Sequence, residues 1–404
     1  MGGKKMSINK YRYLNFLYRN SLVLNSIERS EGGSIASYKY SISGLWSKLF
    51  RKERLSIDFG VDIREVPDSV LVIPFLTNML PVIWLCNAIA HVKSIDSAFS
   101  NSISAIKKRY ENMYPCFNFL GEIKADSIEV NVPRNNIHDT AMFYSAGVDS
   151  FSTFLNHENE HPLLINICGS DISLDDTKGW NAMKRRQFFM KEHFGLDCVS
   201  ICSNFKNVIN PGRLSKLVER SGDNWWHGFQ HGIAIIGHAA PLAYKFGIKK
   251  LYLASTYTPA VYGKITCASD PSIDNNVEFV QTRVYHDGDE RDRFQKIRQI
   301  ADFHHETGIV LPLHVCWESR GGENCSSCEK CTRTILALYA CGEDPKDYGF
   351  NPELISESNV RRACKSKFDY ENYYRRTVEA LRKMDNEKTI EWWAKWALNF
   401  CIDD

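Results

Sequence analysis

Four cysteines in the last third of the chain, Cys316, Cys325, Cys328 and Cys331, are separated by eight, two and two residues. Two Cys-x-x-Cys steps sharing a cysteine bring three thiolates together at a turn entering a helix. Cys316, at the end of a preceding strand, then closes a tetrahedron around Zn²⁺. Four thiolates leave no position for water or substrate, so the expected metal is structural, and an iron–sulfur cluster would use the same ligand type. A second pattern, Ser145-Ala146-Gly147-Val148-Asp149-Ser150, lies between the apolar run Thr140–Tyr144 and a helical pattern. A turn at that point aims free N–H groups and the positive end of a helix dipole at one spot, as a di- or triphosphate requires. Gly147 allows close backbone approach, Ser145 and Ser150 offer hydroxyls, and Asp149, which would repel phosphate unaided, is the expected Mg²⁺ ligand. Ala146 would cost about 1 kcal/mol if its position needs a left-handed backbone. An ordinary strand–turn–helix with a Ser N-cap explains the same six residues. Gly263-Lys264-Ile265-Thr266 lacks the upstream glycine of a Gly-x-x-x-x-Gly-Lys-Thr loop, which disfavours kinase-type γ-phosphate transfer.

The hexapeptide resembles the PP-loop of ATP pyrophosphatases, Ser-Gly-Gly-x-Asp-Ser, with Ala146 replacing the first Gly. Followed by Cys-x8-Cys-x2-Cys-x2-Cys, with Thr332 and Arg333 opening the next helix, it is similar to the 7-cyano-7-deazaguanine synthases (QueC) over about Asp139–Gly342. With its added ends the chain resembles the longer QueC-like proteins of anti-phage operons. The resemblance implies a ligase in which the carboxylate of a 7-deazaguanine acid attacks the α-phosphate of ATP and an amine then displaces AMP. Ser145 to Ser150 would bind ATP, with Asp149 and Ser150 closest to the chemistry. The amine is either ammonia, giving amide and then nitrile, or a group on an operon-encoded protein. Trp226, His227, Gln230 and His231 stand where the family carries a Pro-x-Arg-Asn-type segment. They suit stacking and hydrogen bonding to a purine-like ring, or equally a helix capped by Asn224 with Trp packed inward. Thr256 sits at a strand end, and Asp270 or Asp274 is the expected reader of the deazaguanine edge, against a solvated turn. His286, Asp287, Arg291 and Arg293 suit neutralisation of pyrophosphate or capping of the next helix. Two rivals share the loop. A tRNA-thiolating enzyme would need a basic surface and a cysteine facing ATP, for which Cys168 and Cys267 lie nearest to strand ends. A nucleotide-sensing scaffold would bind ATP without turnover.

Positioning these residues requires alternating strands and helices. The spacing predicts strands at Thr140–Tyr144, Pro162–Cys168, Asp197–Cys202, Lys250–Ala254 and Leu311–Val315. It predicts helices at Val148–His157, Leu174–His193, Trp225–Phe246, Asp289–His305 and Cys328–Ala340. This is an α/β pattern, a doubly wound parallel sheet of PP-loop type with ligands at the carboxyl ends of its strands. Residues 1–135 read as an N-terminal α+β extension, 136–345 as the ATP-binding domain and 346–404 as a helical tail. The extension holds an aromatic opening from Tyr11, a basic amphipathic piece at Trp46–Arg54, a strand at Arg54–Phe59 and a helix at Ser97–Tyr110. In the tail, Trp392, Trp396 and Phe400 form an aromatic stripe of the kind used for core or for an oligomer interface, here a homodimer.

The 404 residues suit two or three compact units. Hydrophobic residues at 44% and charged residues at 24% exclude disorder by composition. The formal charge of +2 provides no global field for a nucleic-acid backbone, which favours a small purine-like substrate over tRNA. Thirteen cysteines, an odd number with no leader before them, point to reduced thiols in the cytoplasm. The uncharged stretch Ser69–Ala90 is long enough to span a bilayer, but Pro74 and Pro81 interrupt it, and Ser69–Ile73 reads as a buried strand. The start Met1-Gly2 lacks Ser or Thr where myristoylation needs it, because Met6 is there.

Overall fold

The computed structural model describes residues 20–51, 53–364, 366–387 and 389–398. The expectations for Met1–Met6, for the opening at Tyr11 and for Phe400 lie outside these residues.

Eleven strands form one sheet: β1 (Ser21–Arg29), β2 (Ile35–Ser43), β3 (Ser56–Asp58), β4 (Ile89–Asp96), β5 (Glu122–Glu129), β6 (Thr140–Phe143), β7 (Leu163–Cys168), β8 (Cys198–Ser203), β9 (Lys250–Ala254), β10 (Glu278–Phe279) and β11 (Thr282–Asp287). Their order is β10-β11-β9-β6-β7-β8-β3-β2-β1-β4-β5. The block β11-β9-β6-β7-β8 is parallel throughout. From β6 the chain winds outward to β7 and β8 on one side and to β9 and β11 on the other, so the strand order reverses at β6. Open α/β sheets place their ligand crevice at such a reversal, beyond the carboxyl ends of the strands. The sheet continues across residue 135, with β3 antiparallel to β8 through Ile57↔Ser203.

Successive residues of the central strands face opposite sides, and each side has its own core. Ala141, Phe143, Leu163 and Ile165 pack with Leu71, Phe75, Ile233 and Ile236. Met142, Tyr144 and Leu164 pack with Phe151, Ile297, Leu336 and, from the tail, Leu381 and Trp393. Strands covered on both faces read as continuous apolar runs, which is why β6 and β7 were visible in the sequence.

Three expectations are overturned. Ser69–Ile73 is not a strand but the start of an 18-residue helix, Asp68–Leu85. A five-residue apolar run does not distinguish a buried strand from a buried helix. Pro74 and Pro81 are both inside that helix; seven residues apart, they fall on one face, so the interruption is confined to one side. It is the one described helix long and apolar enough to cross a membrane, and 89% of its apolar window is buried in the fold. Trp225–Phe246 is not one helix: a π-turn, Trp226–Gln230, is followed by helices His231–Gly237 and Ala240–Phe246. A Cβ on Gly237 would lie 2.0 Å from Thr77 Oγ1, so this segment crosses the helix Asp68–Leu85 with no room for a side chain. Leu311–Val315 is not a strand: Leu313 N turns back to Leu311 O at 2.9 Å.

Candidate anion and metal sites

The chain leaves β6 at Tyr144, whose carbonyl accepts a hydrogen bond from Asn166 Nδ2 on β7. Gln187 holds Asn166 in turn, its Nε2 lying 2.6 Å from Asn166 Oδ1 and 3.0 Å from Ser200 Oγ on β8. Ala146 then adopts φ +58°, the left-handed conformation in which Ala costs more than Gly. Its carbonyl accepts from His314 N at 2.8 Å. Gly147 is the N-cap of the helix Val148–His157, and no side chain caps the N–H groups of its first turn. Ser150 Oγ turns back to Gly147 O at 3.0 Å and lies 3.4 Å from Ser145 Oγ. The result is a helix N-terminus at the sheet's reversal point with unclaimed donors, the geometry that binds anions.

Asp149 is held by two cations of the chain itself: Arg293 Nη2 is 2.8 Å from Oδ2 and Lys296 Nζ 3.1 Å from Oδ1. Burial pushes the Asp149 carboxyl up, but Arg293, Lys296 and, at longer range, Lys330 outweigh it and hold the carboxyl well below the usual range. Lys296 is 1% exposed and also donates to Ser255 O at the end of β9. The positive charge expected beside Asp149 therefore comes from protein, and both carboxylate oxygens expected to meet Mg²⁺ are already engaged.

More basic groups converge here. His314, against the loop, is pushed down to about 4 by burial and by Arg186 and Lys330, and its Nε2 is buried with no partner. His231 is pushed down to about 4 by burial and by Lys206, His227 and Lys330, with Asp171 opposing. Lys206 Nζ lies 3.5 Å from the centre of the Trp226 ring, and Trp226 meets His231 edge-on at 5.0 Å. Arg333 lies over the ring of Tyr373, 4.6 Å from its centre. Lys296, Lys206, Lys330 and His314 were not singled out in the sequence. A signal existed: Arg293 and Lys296 open one helix, and Lys330 and Arg333 open another. Cations in a first turn oppose the helix dipole, an arrangement that makes sense where an anion is to be bound.

The remaining candidates divide. Trp226 and His231 stand together beside Lys206. Thr256 is exposed at the end of β9. Gln230 is 2% exposed and bridges Trp225 Nε1 at 3.0 Å and Asn78 Oδ1 at 3.1 Å, facing the core. Asp270 caps the short helix Pro271–Asp274 and accepts from Ser272 N at 2.8 Å. Asp274 is fully buried between Ser269 Oγ at 2.9 Å and His286 Nδ1 at 2.8 Å. Asp287 pairs with His157 at 2.8 Å and Arg291 donates to Asn156 at 3.0 Å.

His227 belongs to a separate cluster. Asp223, whose side chain is 8% exposed, meets His227 Nδ1 at 2.9 Å and accepts from Thr266 Oγ1 at 2.8 Å. Tyr257 Oη lies 3.4 Å from His227 Nε2. The hydrogen bond with Asp223, with Cys267 nearby adding to it, raises His227 to about 10 against its burial.

The four cysteines are brought together as expected. Their Sγ atoms all lie within 4.8 Å of one another, with Cys316–Cys328 and Cys325–Cys331 both at 3.9 Å. Thiolates bound tetrahedrally at 2.3 Å would be about 3.8 Å apart, so the group fits Zn²⁺. Ser326, at φ +60°, turns the chain between Cys325 and Cys328. Backbone N–H groups point at sulfur from Ser319 to Cys316 at 3.3 Å, from Cys328 to Cys325 at 3.2 Å and from Cys331 to Cys328 at 3.4 Å. Cys328 is itself the N-cap of the helix Glu329–Ala340, so the metal group fixes the end that carries Lys330 and Arg333.

No family model, curated protein or solved structure matches this chain.

Proposed function

We propose that the chain is an ATP-dependent, QueC-like ligase that adenylates the carboxylate of a 7-deazaguanine acid and transfers the acyl group to an amine. The observation that carries the reading is the uncapped N-terminus of the helix Val148–His157 at the reversal of strand order, with Arg293 and Lys296 on its Asp149 and the charges of Lys330 and Arg333 acting at longer range. Ser145 to Ser150 would hold the leaving pyrophosphate with backbone N–H groups, and the four cations would take up its charge. Mg²⁺ would then arrive with the nucleotide rather than as a ligand of Asp149. Trp226 and His231 would wall the ring of the acid, and Asp270 and Asp274, both engaged within the fold, would contribute through the loop they shape. The work is positioning and charge stabilisation, and no side-chain nucleophile is needed. The residues beyond the ATP-binding core suit a macromolecular acceptor, an amine of an operon-encoded protein. The test is incubation with ATP, the deazaguanine acid and either ammonia or that protein, reading AMP, pyrophosphate and intact mass. Release of AMP and pyrophosphate is expected. Tight ATP binding without release would overturn the ligase in favour of a nucleotide-sensing scaffold, and an unchanged partner mass would overturn conjugation.

A second reading has its own observation, the His227–Asp223 pair, whose raised imidazole Cys267 helps to hold. It favours thiol chemistry of the tRNA-thiolating kind. In the ligase reading Cys267→Ala retains AMP release; abolished turnover with unchanged ATP binding would favour thiolation.

A further inference from the structure

His304 and His305 stand in the last turn of the helix Arg293–Thr307, and Glu343 follows the helix Glu329–Ala340. His304 Nδ1 lies 2.7 Å from Glu343 Oε2, and His305 Nε2 lies 2.7 Å from Glu343 Oε1. Glu343 is 4% exposed, and among the described residues its Oε1 is buried without a hydrogen bond, although His305 Nε2 stands close to it. A buried carboxylate oxygen left without a donor is costly. The two imidazole nitrogens and a carboxylate oxygen lie within 4.8 Å of one another, as the four thiolates do. Tyr348 Oη donates to Glu343 Oε2 at 3.0 Å, the kind of outer contact that orients a metal-binding carboxylate. A helix C-terminus carries partial negative charge, which favours a cation there.

From this geometry we propose a second metal site, His304–His305–Glu343, for a divalent transition metal of the Zn²⁺ class. Two imidazoles and one carboxylate suit Zn²⁺ and leave at least one position for water, unlike the closed tetrathiolate group. The His305 side chain is 55% exposed, so the ion can enter from solvent. The site joins the trailing ends of the two helices whose leading ends carry Arg293, Lys296, Lys330 and Arg333. At 1.5 Å per residue the first of these helices is about 22 Å long, which separates the site from the anion-binding end. The inference does not depend on the nucleotide reading.

The test uses the full chain with its thiolate site loaded with Zn²⁺, titrated calorimetrically with further Zn²⁺ and, by absorbance, with Co²⁺. One additional equivalent is expected, without new thiolate-to-Co²⁺ charge-transfer bands. Ligand removal in His305→Ala or Glu343→Gln should weaken it at least about tenfold, because even loss of an outer-shell partner costs that much. His305→Ala removes an exposed side chain and should leave the fold intact, which its thermal unfolding would check. Absence of a second equivalent, an isotherm unchanged in both variants, or new thiolate bands would overturn the site.

Discussion

The tetrathiolate group and the anion site meet at one helix end, yet they are built in opposite ways. Cys316 to Cys331 span 16 residues, and their geometry is closed by their own turn and by Ser326 in its left-handed conformation. The anion site draws Ser145–Ser150, Lys206, His231, Arg293 with Lys296, His314, and Lys330 with Arg333 from six separate stretches. A local site is specified by spacing; an assembled one is specified by the sheet beneath it. The first should therefore fail completely when one ligand is lost, and the second by degrees.

Loss of a thiolate is the largest effect expected. Cys328 is fully buried, contacts two other sulfurs and caps its helix. Structural Zn²⁺ contributes about 10–16 kcal/mol in isolated zinc modules, comparable with the whole stability of a domain at about 5–15 kcal/mol. Cys328→Ser, or prolonged chelation, should release the metal and abolish cooperative unfolding of the surrounding core, read by metal analysis and circular dichroism. A variant that keeps a stable fold without metal would show that the cluster is dispensable.

Breaking the assembled site is next. Lys296→Met leaves Asp149 with Arg293 alone in a buried setting, where removal of one partner of an ion pair costs about 3–5 kcal/mol. Adding Asp149→Asn should cost less in this background than in the parent chain, since Lys296 is already gone, but it leaves Arg293 unpaired and so does not restore stability. Urea unfolding of both singles and the double measures this, and additive losses would contradict the pairing. Pyrophosphate affinity, read separately, should fall in Lys296→Met and in Arg333→Ala while the metal stays bound.

Legibility in the sequence followed the same division. Val148–His157 and Lys250–Ala254 were placed correctly because an uninterrupted apolar run or a clean helical period lies between strong turn residues. The Cys spacing identified the metal group because all its partners are near in sequence. Ser69–Ile73 was misread because an all-apolar segment has no period. The π-turn at Trp226 was not visible because nothing in Trp225-Trp226-His227-Gly228 announces a change of hydrogen-bond ladder; it follows from packing against the helix Asp68–Leu85. Lys296 and His314 reach the loop only through tertiary structure, although cations opening two helices were a signal available beforehand. Trp392, expected on an aromatic face with Trp396, is 56% exposed, while its neighbour Trp393 packs against Tyr339 at 4.8 Å.

A pH profile separates the His227 cluster from the buried His231 and His314. His227 is raised to about 10, so its contribution to stability is full below the unfolded value near 6.5 and is lost as pH rises toward 10. His231 and His314 are lowered to about 4, so they bind fewer protons folded than unfolded, and stability is lost as pH falls from about 6.5 toward 4. Stability should therefore peak near neutrality. His227→Gln should flatten only the alkaline limb in urea unfolding between pH 5 and pH 10; an unchanged limb would remove the Asp223 pairing as its cause.

The smallest effect concerns Ala146, the position where the loop departs from Ser-Gly-Gly. Its φ of +58° costs about 1 kcal/mol that Gly would not incur. Gly adds freedom to the unfolded chain, however, worth about 0.4–1 kcal/mol, and Ala146→Gly removes a fully buried methyl group worth about 0.8 kcal/mol. These contributions offset, so the stability change should stay within about 1 kcal/mol. Nucleotide affinity need not follow, because the backbone N–H groups and the carbonyl held by His314 are already placed in the parent chain. If Ala146 is merely tolerated strain, AMP release by the Gly variant should stay within about twofold of the parent. If the parent is inactive and the Gly variant turns over, Ala146 is what separates a nucleotide-binding scaffold from an enzyme, and a single methyl group on the assembled site would matter as much as a thiolate does on the local one.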